Sequence, residues 1–247
     1  MAKKSWFCFD DEIVCLGAGI TSTMNSPVRT TVEHKRIVTD ELGIYVCGEG
    51  KLPTESYEKR YTGAKWMLMD GHAGYVFPSG GEVYINRYTC DTANNQSFLE
   101  IGINHGANPV DATYEYVLIP YADAEKLDTY TKNPDITVIS NTKSLQAVRE
   151  EKIGVSCYVF HEPGECEGIS VDTPCIVALT KKGSEFTLAV TDPTHKRDRI
   201  ALTLDKRIAL ISASDKLVVD IKEEKTNIVA NVFMAHGRKF EMKYEDA

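Results

Sequence analysis

The chain lacks most of the short signatures by which chemistry is read directly from sequence. It has no G-x-S-x-G elbow, no Walker loop and no H-E-x-x-H pair. It has seven cysteines, Cys8, Cys15, Cys47, Cys90, Cys157, Cys166 and Cys175, but no C-x-x-C spacing. An odd, dispersed set argues against a zinc site or a disulfide framework. Cys8, Cys15, Cys47 and Cys175 sit in apolar runs, where a thiol is expected to pack as a small hydrophobe. No apolar run approaches the roughly 20 residues of a membrane helix. Met-Ala-Lys-Lys-Ser-Trp leads into no apolar segment long enough for a signal peptide. Positive charge is also in deficit: 28 Lys and Arg face 36 Asp and Glu, for a net charge of −8. That balance argues against nonspecific nucleic-acid binding, which depends on neutralising phosphates.

Short β-branched and aromatic runs separated by turn chemistry are abundant. Trp6-Phe7-Cys8-Phe9 and 12–17 flank the acidic pair Asp10-Asp11, so a hairpin begins almost at the first residue. An abrupt start of this kind is expected of a piece of something larger. Further strands are predicted over 30–37, 43–47, 66–69, 74–77, 82–85, 98–103 and 114–119, with Asp70-Gly71 as a hairpin turn. A second series runs over 136–140, 145–149, 155–160, 175–180, 186–190, 200–204, 208–211, 217–221, 228–233 and 240–244. One helix is predicted over 122–130, ended by Asn133-Pro134. The fold class is all-β: an antiparallel sandwich region over 1–132, a short linking helix, and a smaller antiparallel β-sandwich over 133–247.

Candidate functional residues stand out against this frame, each with a plainer reading beside it. Gly17-Ala18-Gly19 follows a strand, as a dinucleotide fingerprint does. The segment after it, Thr23-Met24-Asn25-Ser26-Pro27, cannot start the required helix, so the glycines are expected at a turn or bulge. His34, His72, His105, His161, His195 and His236 are scattered. His105 lies in Asn104-His105-Gly106-Ala107-Asn108-Pro109, a polar segment expected to be an elaborate turn. The acidic clusters 10–12 and 223–224 are expected as turns or solvated faces, although glycoside hydrolysis also uses paired carboxylates. Trp66, Tyr84 and Arg87, with Tyr88, have the aromatic and basic character of a carbohydrate platform. A tryptophan inside an apolar strand is more often core. His195-Lys196-Arg197 with Arg199 is a small basic loop suited to an acidic polymer or to a solvated turn. No motif calls for a cofactor or a metal.

Lys4-Ser5-Trp6-Phe7 through 10–20, Thr30-Thr31-Val32-Glu33, and 104–109 leading into 114–120 resemble the β-region of polysaccharide lyase family 8, the hyaluronate, chondroitin AC and xanthan lyases. Ser140-Asn141-Thr142, 146–149, 172–175 and 188–194 resemble the family's C-terminal domain. The resemblance runs in order along nearly the whole chain. It implies the later part of a β supersandwich followed by the C-terminal β-sandwich. It also implies a parent reaction of β-elimination on uronic-acid polysaccharides, and an extracellular or periplasmic location. In the family the catalytic Asn, His, Tyr and Arg come from an α/α toroid, and a Glu comes from an Asn-Gly-Glu-Asn segment. Neither pattern occurs in this sequence, so the resemblance carries no catalytic residue over. The chain is therefore expected to be inactive alone, acting as scaffold and substrate-cleft wall. Its expected partners are an acidic polysaccharide and the missing toroid, with no nucleic acid and no membrane. An unpaired sheet edge is expected to drive self-association. The alternative is a standalone carbohydrate-binding module for acidic polysaccharides, with Trp66, Tyr84 and Arg87 in contact with the sugar.

Overall fold

The computed structural model describes residues 2–38, 42–93 and 95–247. The chain divides into two compact units, Met1–Pro134 and Asp135–Ala247. In the first, the strands are β1 (Lys3–Cys8), β2 (Ile13–Ile20), β3 (Pro27–Ile37), β4 (Ile44–Val46), β5 (Gly50–Lys51) and β6 (Tyr57–Thr62). They continue with β7 (Trp66–Met69), β8 (Ala73–Val76), β9 (Glu82–Cys90), β10 (Gln96–Ala107) and β11 (Ala112–Pro120), and helix α1 (Ala124–Lys132) closes the unit. Seven strands form one antiparallel sheet in the order β1-β2-β11-β8-β7-β4-β5, and four form a second in the order β3-β10-β9-β6. Alternation places Val83, Ile85, Leu99, Ile101 and Ile103 of the smaller sheet against Met67, Met69, Tyr75, Tyr114 and Tyr116 of the larger. A bond from the Tyr75 hydroxyl to Glu33 (2.6 Å) also ties the two sheets.

The Gly17-Ala18-Gly19 segment is a β-bulge, as its turn-or-bulge chemistry predicts. Tyr114 pairs with Gly17 and Ala112 with Ile20, so β2 carries one extra residue against β11. Gly19 takes φ +70° there, a conformation costly for other residues. The predicted helix forms slightly downstream of its expected start. Asp123 caps it, accepting from the Lys126 N–H at 2.7 Å, and Asn133 ends it.

Two expectations need correction. The segment 104–109 is mostly strand: β10 runs through Ala107 with a pairing irregularity between Asn104 and Ala107, so the turn is confined to the residues that follow. Cys8 is exposed rather than packed, because strand alternation turns Trp6 and Cys8 outward while Phe7 points inward. β1 is also an end strand of its sheet, and Trp6 is 61% exposed on it.

The second unit contains β12 (Ile136–Asn141), β13 (Leu145–Glu150), β14 (Val155–Phe160), β15 (Gly164–Cys166), β16 (Ile169–Val171) and β17 (Cys175–Lys182). After these come β18 (Glu185–Thr191), β19 (Arg199–Leu204), β20 (Ile208–Ala213), β21 (Leu217–Ile221), β22 (Thr226–Asn231) and β23 (Phe240–Asp246). They make a sandwich of a seven-stranded sheet, β12-β13-β14-β17-β18-β23-β20, and a five-stranded sheet, β15-β16-β19-β22-β21. Tyr158, Phe160, Val177, Leu188, Met242 and Tyr244 from the first pack on Ile169, Ile200, Leu202, Leu204 and Ile228 from the second. Among the described residues, no helix is long and apolar enough to cross a membrane.

Candidate carbohydrate surface

The three residues singled out for sugar contact lie on different faces. Trp66 is buried in β7, and its indole N–H donates to Asp128 of α1 at 2.8 Å. It anchors the helix to the larger sheet. Arg87 is 3% exposed and continues the inward row of Val83 and Ile85 along β9. Tyr84 belongs to the opposite, outward row of β9. Only Tyr84 is on the row that faces an outer surface, and it too is just 2% exposed, beneath Arg29, so the three do not form one platform.

That surface is the outer face of the four-stranded sheet, and register assembles it. Phe98 pairs with Arg36 on one side and Tyr88 on the other; Glu100 pairs with His34 and Asn86; Gly102 pairs with Thr31 and Tyr84; Asn104 pairs with Arg29 and Glu82. β6 adds Glu58 and Arg60 to the same rows. At one end His34, Tyr88 and Phe98 form an aromatic cluster. Tyr88 and Phe98 stack at 5.7 Å, and the His34 ring bonds the Tyr88 hydroxyl through Nε2 at 2.9 Å. In the middle Tyr84 lies flat on the sheet because Gly102 has no side chain; a Cβ there would stand 2.5 Å from the ring. Arg29 covers the ring at 4.6 Å, and the phenol donates to Glu100 at 2.5 Å. At the far end Arg60 faces Glu82, which accepts from the Asn104 amide.

Rings to stack on sugar faces, arginines to meet carboxylates, and amides and carboxylates to meet hydroxyls thus share one face. Proton abstraction is a different matter. Burial, and then the bond to Glu100, push the Tyr84 phenol up to about 12, so it stays protonated and acts as a donor at neutral pH. Burial, followed by the nearby Lys4 charge, holds the His105 ring below the usual histidine range, and its Nε2 is engaged with the Thr30 hydroxyl at 2.8 Å. The buried thiols Cys15 and Cys175 are pushed up to about 11 and about 12, chiefly by desolvation, and are not nucleophiles. Among the described residues no three His, Cys, Asp or Glu side chains converge to hold a metal.

Sequence reasoning found Tyr84 and Tyr88 but missed Phe98, His34, Arg29, Arg36 and Arg60 as their neighbours. Only strand pairing reveals that these residues share a face. β6 is, with β5, β15 and β16, a strand the sequence reading did not predict; its alternation of aromatic and charged residues, Tyr57-Glu58-Lys59-Arg60-Tyr61-Thr62, was the available signal.

Comparison with known proteins matches residues 1–131 to the super-sandwich domain model of polysaccharide lyase family 8 and residues 137–201 to that family's C-terminal beta-sandwich domain model. A hyaluronate lyase of Thermasporomyces composti is 29% identical over 91% of this chain and 32% of its own length. A xanthan lyase of Bacillus sp. (strain GL1) is 28% identical over 99% of this chain and 29% of its own. A chondroitinase-AC of Pedobacter heparinus is 30% identical over 82% and 31% respectively. Among solved structures, a Paenibacillus xanthan lyase superposes on all of this chain with a TM-score of 0.90 at 27% identity, using 26% of its own chain. A Streptomyces coelicolor A3 chondroitin AC lyase shares the fold with a TM-score of 0.80 at 23% identity. The chain spans about a third of the length of the curated relatives it matches.

Proposed function

Because the chain belongs to polysaccharide lyase family 8, we propose that it is the non-catalytic β-portion of such a lyase, acting as scaffold and substrate-cleft wall for an acidic polysaccharide of the hyaluronan, chondroitin or xanthan kind. The observation that carries this reading is the outer face of the β3-β10-β9-β6 sheet, where half-buried stacked rings lie beside exposed arginines and the tyrosine at the centre, covered by Arg29, is held protonated. β-Elimination removes the proton α to a uronate carboxylate and expels the glycosidic oxygen. It needs a base near its working pH and a positive environment for the carboxylate. The face offers Arg29 and Arg36 toward the second requirement, Arg60 being paired with Glu58 and Glu82, and its tyrosine does not supply the first. The base belongs to the toroid, the expected partner of this portion. An extracellular or periplasmic location goes with the same reading and is checked by cell fractionation.

The test follows unsaturated uronate absorbance when the chain alone meets hyaluronan, chondroitin or xanthan. No product is expected. Turnover by this chain would overturn the non-catalytic assignment. The same face also favours a second reading, binding of the polymer without a toroid. Calorimetry with Arg36→Ala and Tyr88→Ala tests it, and flat titrations across all three polymers would remove it.

A further inference from the structure

Two loops of the second unit carry chemistry that the cleft-wall role leaves unused. Residues 192–198 join β18 to β19, and residues 232–239 join β22 to β23. Each passes between the two sheets of the sandwich. They run side by side because β18 pairs with β23 and β19 with β22. The Asp198 carbonyl accepts from the N–H groups of Val232 (2.9 Å) and Phe233 (3.1 Å). The Thr191 hydroxyl donates to the Gly237 carbonyl at 2.9 Å. The His195 and His236 rings meet edge to face at 6.1 Å, and a side chain at Gly237 would stand 2.9 Å from His195 Nε2.

The sequence spends stability to hold these loops. His195, Met234 and His236 all take left-handed φ angles, 58°, 53° and 51°, each a costly choice for a residue with a side chain. The outcome is a surface on which positive charge predominates. Lys196, Arg197 and Arg238 have no ion-pair partner among the described residues, whereas the neighbouring Arg199 and Lys239 pair with Asp172 and Glu241. Arg197 is held by packing, with its Nε enclosed and without a hydrogen-bond partner. Of the two loop carboxylates, Asp192 is buried and saturated by its own loop, which leaves Asp198 as the sole counter-charge at the surface. Beside the cations Phe233 and Met234 are 65% and 69% exposed. In a chain of net charge −8, three uncompensated cations, two histidines and an exposed ring on adjoining loops form a local reversal of field.

We propose that these paired loops are a second, non-catalytic binding surface for an acidic polysaccharide, with Lys196, Arg197 and Arg238 meeting the carboxylate or sulfate groups of successive sugars and Phe233 lying against a sugar ring. The choice of polysaccharide as the polyanion rests on the lyase reading; the surface itself does not. Such a surface keeps the polymer attached outside the cleft and raises its effective concentration there.

The test is affinity electrophoresis of the full chain through gels containing hyaluronan, chondroitin sulfate or xanthan, with a neutral glucan and duplex DNA in parallel. Retardation by at least one acidic polysaccharide is expected, weakened about tenfold or more in Lys196→Glu/Arg238→Glu. The charge-matched control Lys182→Glu/Lys225→Glu leaves it within about twofold. Phe233→Ala weakens retention while keeping its salt dependence. Thermal unfolding checks each variant, and Lys196→Gln replaces the double variant should that one not fold. Three results each overturn the proposal: no retention by any acidic polysaccharide, retention unchanged in the loop variants, or retention by DNA as strong as by polysaccharide. None of these touches the cleft-wall reading, which fails on a different result, turnover by the chain alone.

Discussion

Asp192 is the residue on which the basic loop depends, and replacing it gives the sharpest test of the structure. Its carboxylate is 3% exposed. Oδ1 accepts from the N–H (2.8 Å) and hydroxyl (2.6 Å) of Thr194, and Oδ2 from the N–H groups of Lys196 (2.9 Å) and Arg197 (2.8 Å). Burial works against the charge, but these four donors outweigh it, and the carboxyl sits below the usual carboxylate range. Asp192→Asn keeps the shape but removes the charge and turns an NH2 toward the donors of Lys196 or Thr194. Hydrogen bonds to a charged group contribute roughly 1.5–3 kcal/mol each. The donors lie in an exposed loop that water reaches, so the loss falls well below their sum, at about 2–4 kcal/mol. For a unit of this size that corresponds to a fall of roughly 8–16 °C in its Tm. The sign of the pH dependence follows from the lowered pKa. The stabilisation is complete above the unfolded value of about 3.9 and is lost as pH falls through the lower folded value. Calorimetry of both proteins should therefore show a constant gap from about pH 5 to about pH 8 that narrows as pH falls below about 4. A gap under about 1 kcal/mol, or one that does not shrink in acid, would refute the reasoning. The variant should also lose retention on acidic polysaccharide, because Lys196 and Arg197 would no longer be fixed.

Gly102→Ala should cost about 1–3 kcal/mol in urea unfolding, since the new Cβ meets a Tyr84 ring pinned by Arg29 and Glu100; an unchanged midpoint would show the ring free to move. Trp6→Lys should reduce concentration-dependent association in sedimentation, because it places a charge on the end strand where the exposed indole lies; equal association in both proteins would move the contact elsewhere. Arg36→Ala and Tyr88→Ala should lower polysaccharide affinity several-fold while changing stability by less than about 1 kcal/mol, as exposed and half-exposed positions do; loss of folding would make them structural instead.

What could be read in the sequence was what one strand or one turn determines by itself. Period-two runs and turns such as Asp70-Gly71 decide local geometry, so most strands and the single helix were legible. Gly17-Ala18-Gly19 was legible as backbone rather than as a nucleotide loop, because the Pro27 that follows leaves no room for a helix. Faces were not legible, because a face is made by partners far apart in the chain. Trp66, Tyr84 and Arg87 are close in sequence and share a composition that suits sugar, yet Trp66 lies beneath α1, Arg87 points into the core, and only Tyr84 turns outward. The residues that surround Tyr84 come from β3, far upstream, and from β10, across the turn that follows β9. The basic loop repeats the lesson. His195-Lys196-Arg197 alone is a solvated turn as much as a site, and nothing in 192–198 announces 232–239. The pairing of β18 with β23 and of β19 with β22 brings the two loops together and adds Arg238 to Lys196 and Arg197. Left-handed residues, His195 in one loop and Met234 and His236 in the other, shape both. The candidate surfaces of this chain therefore depend on strand register, a property that composition and short motifs do not carry.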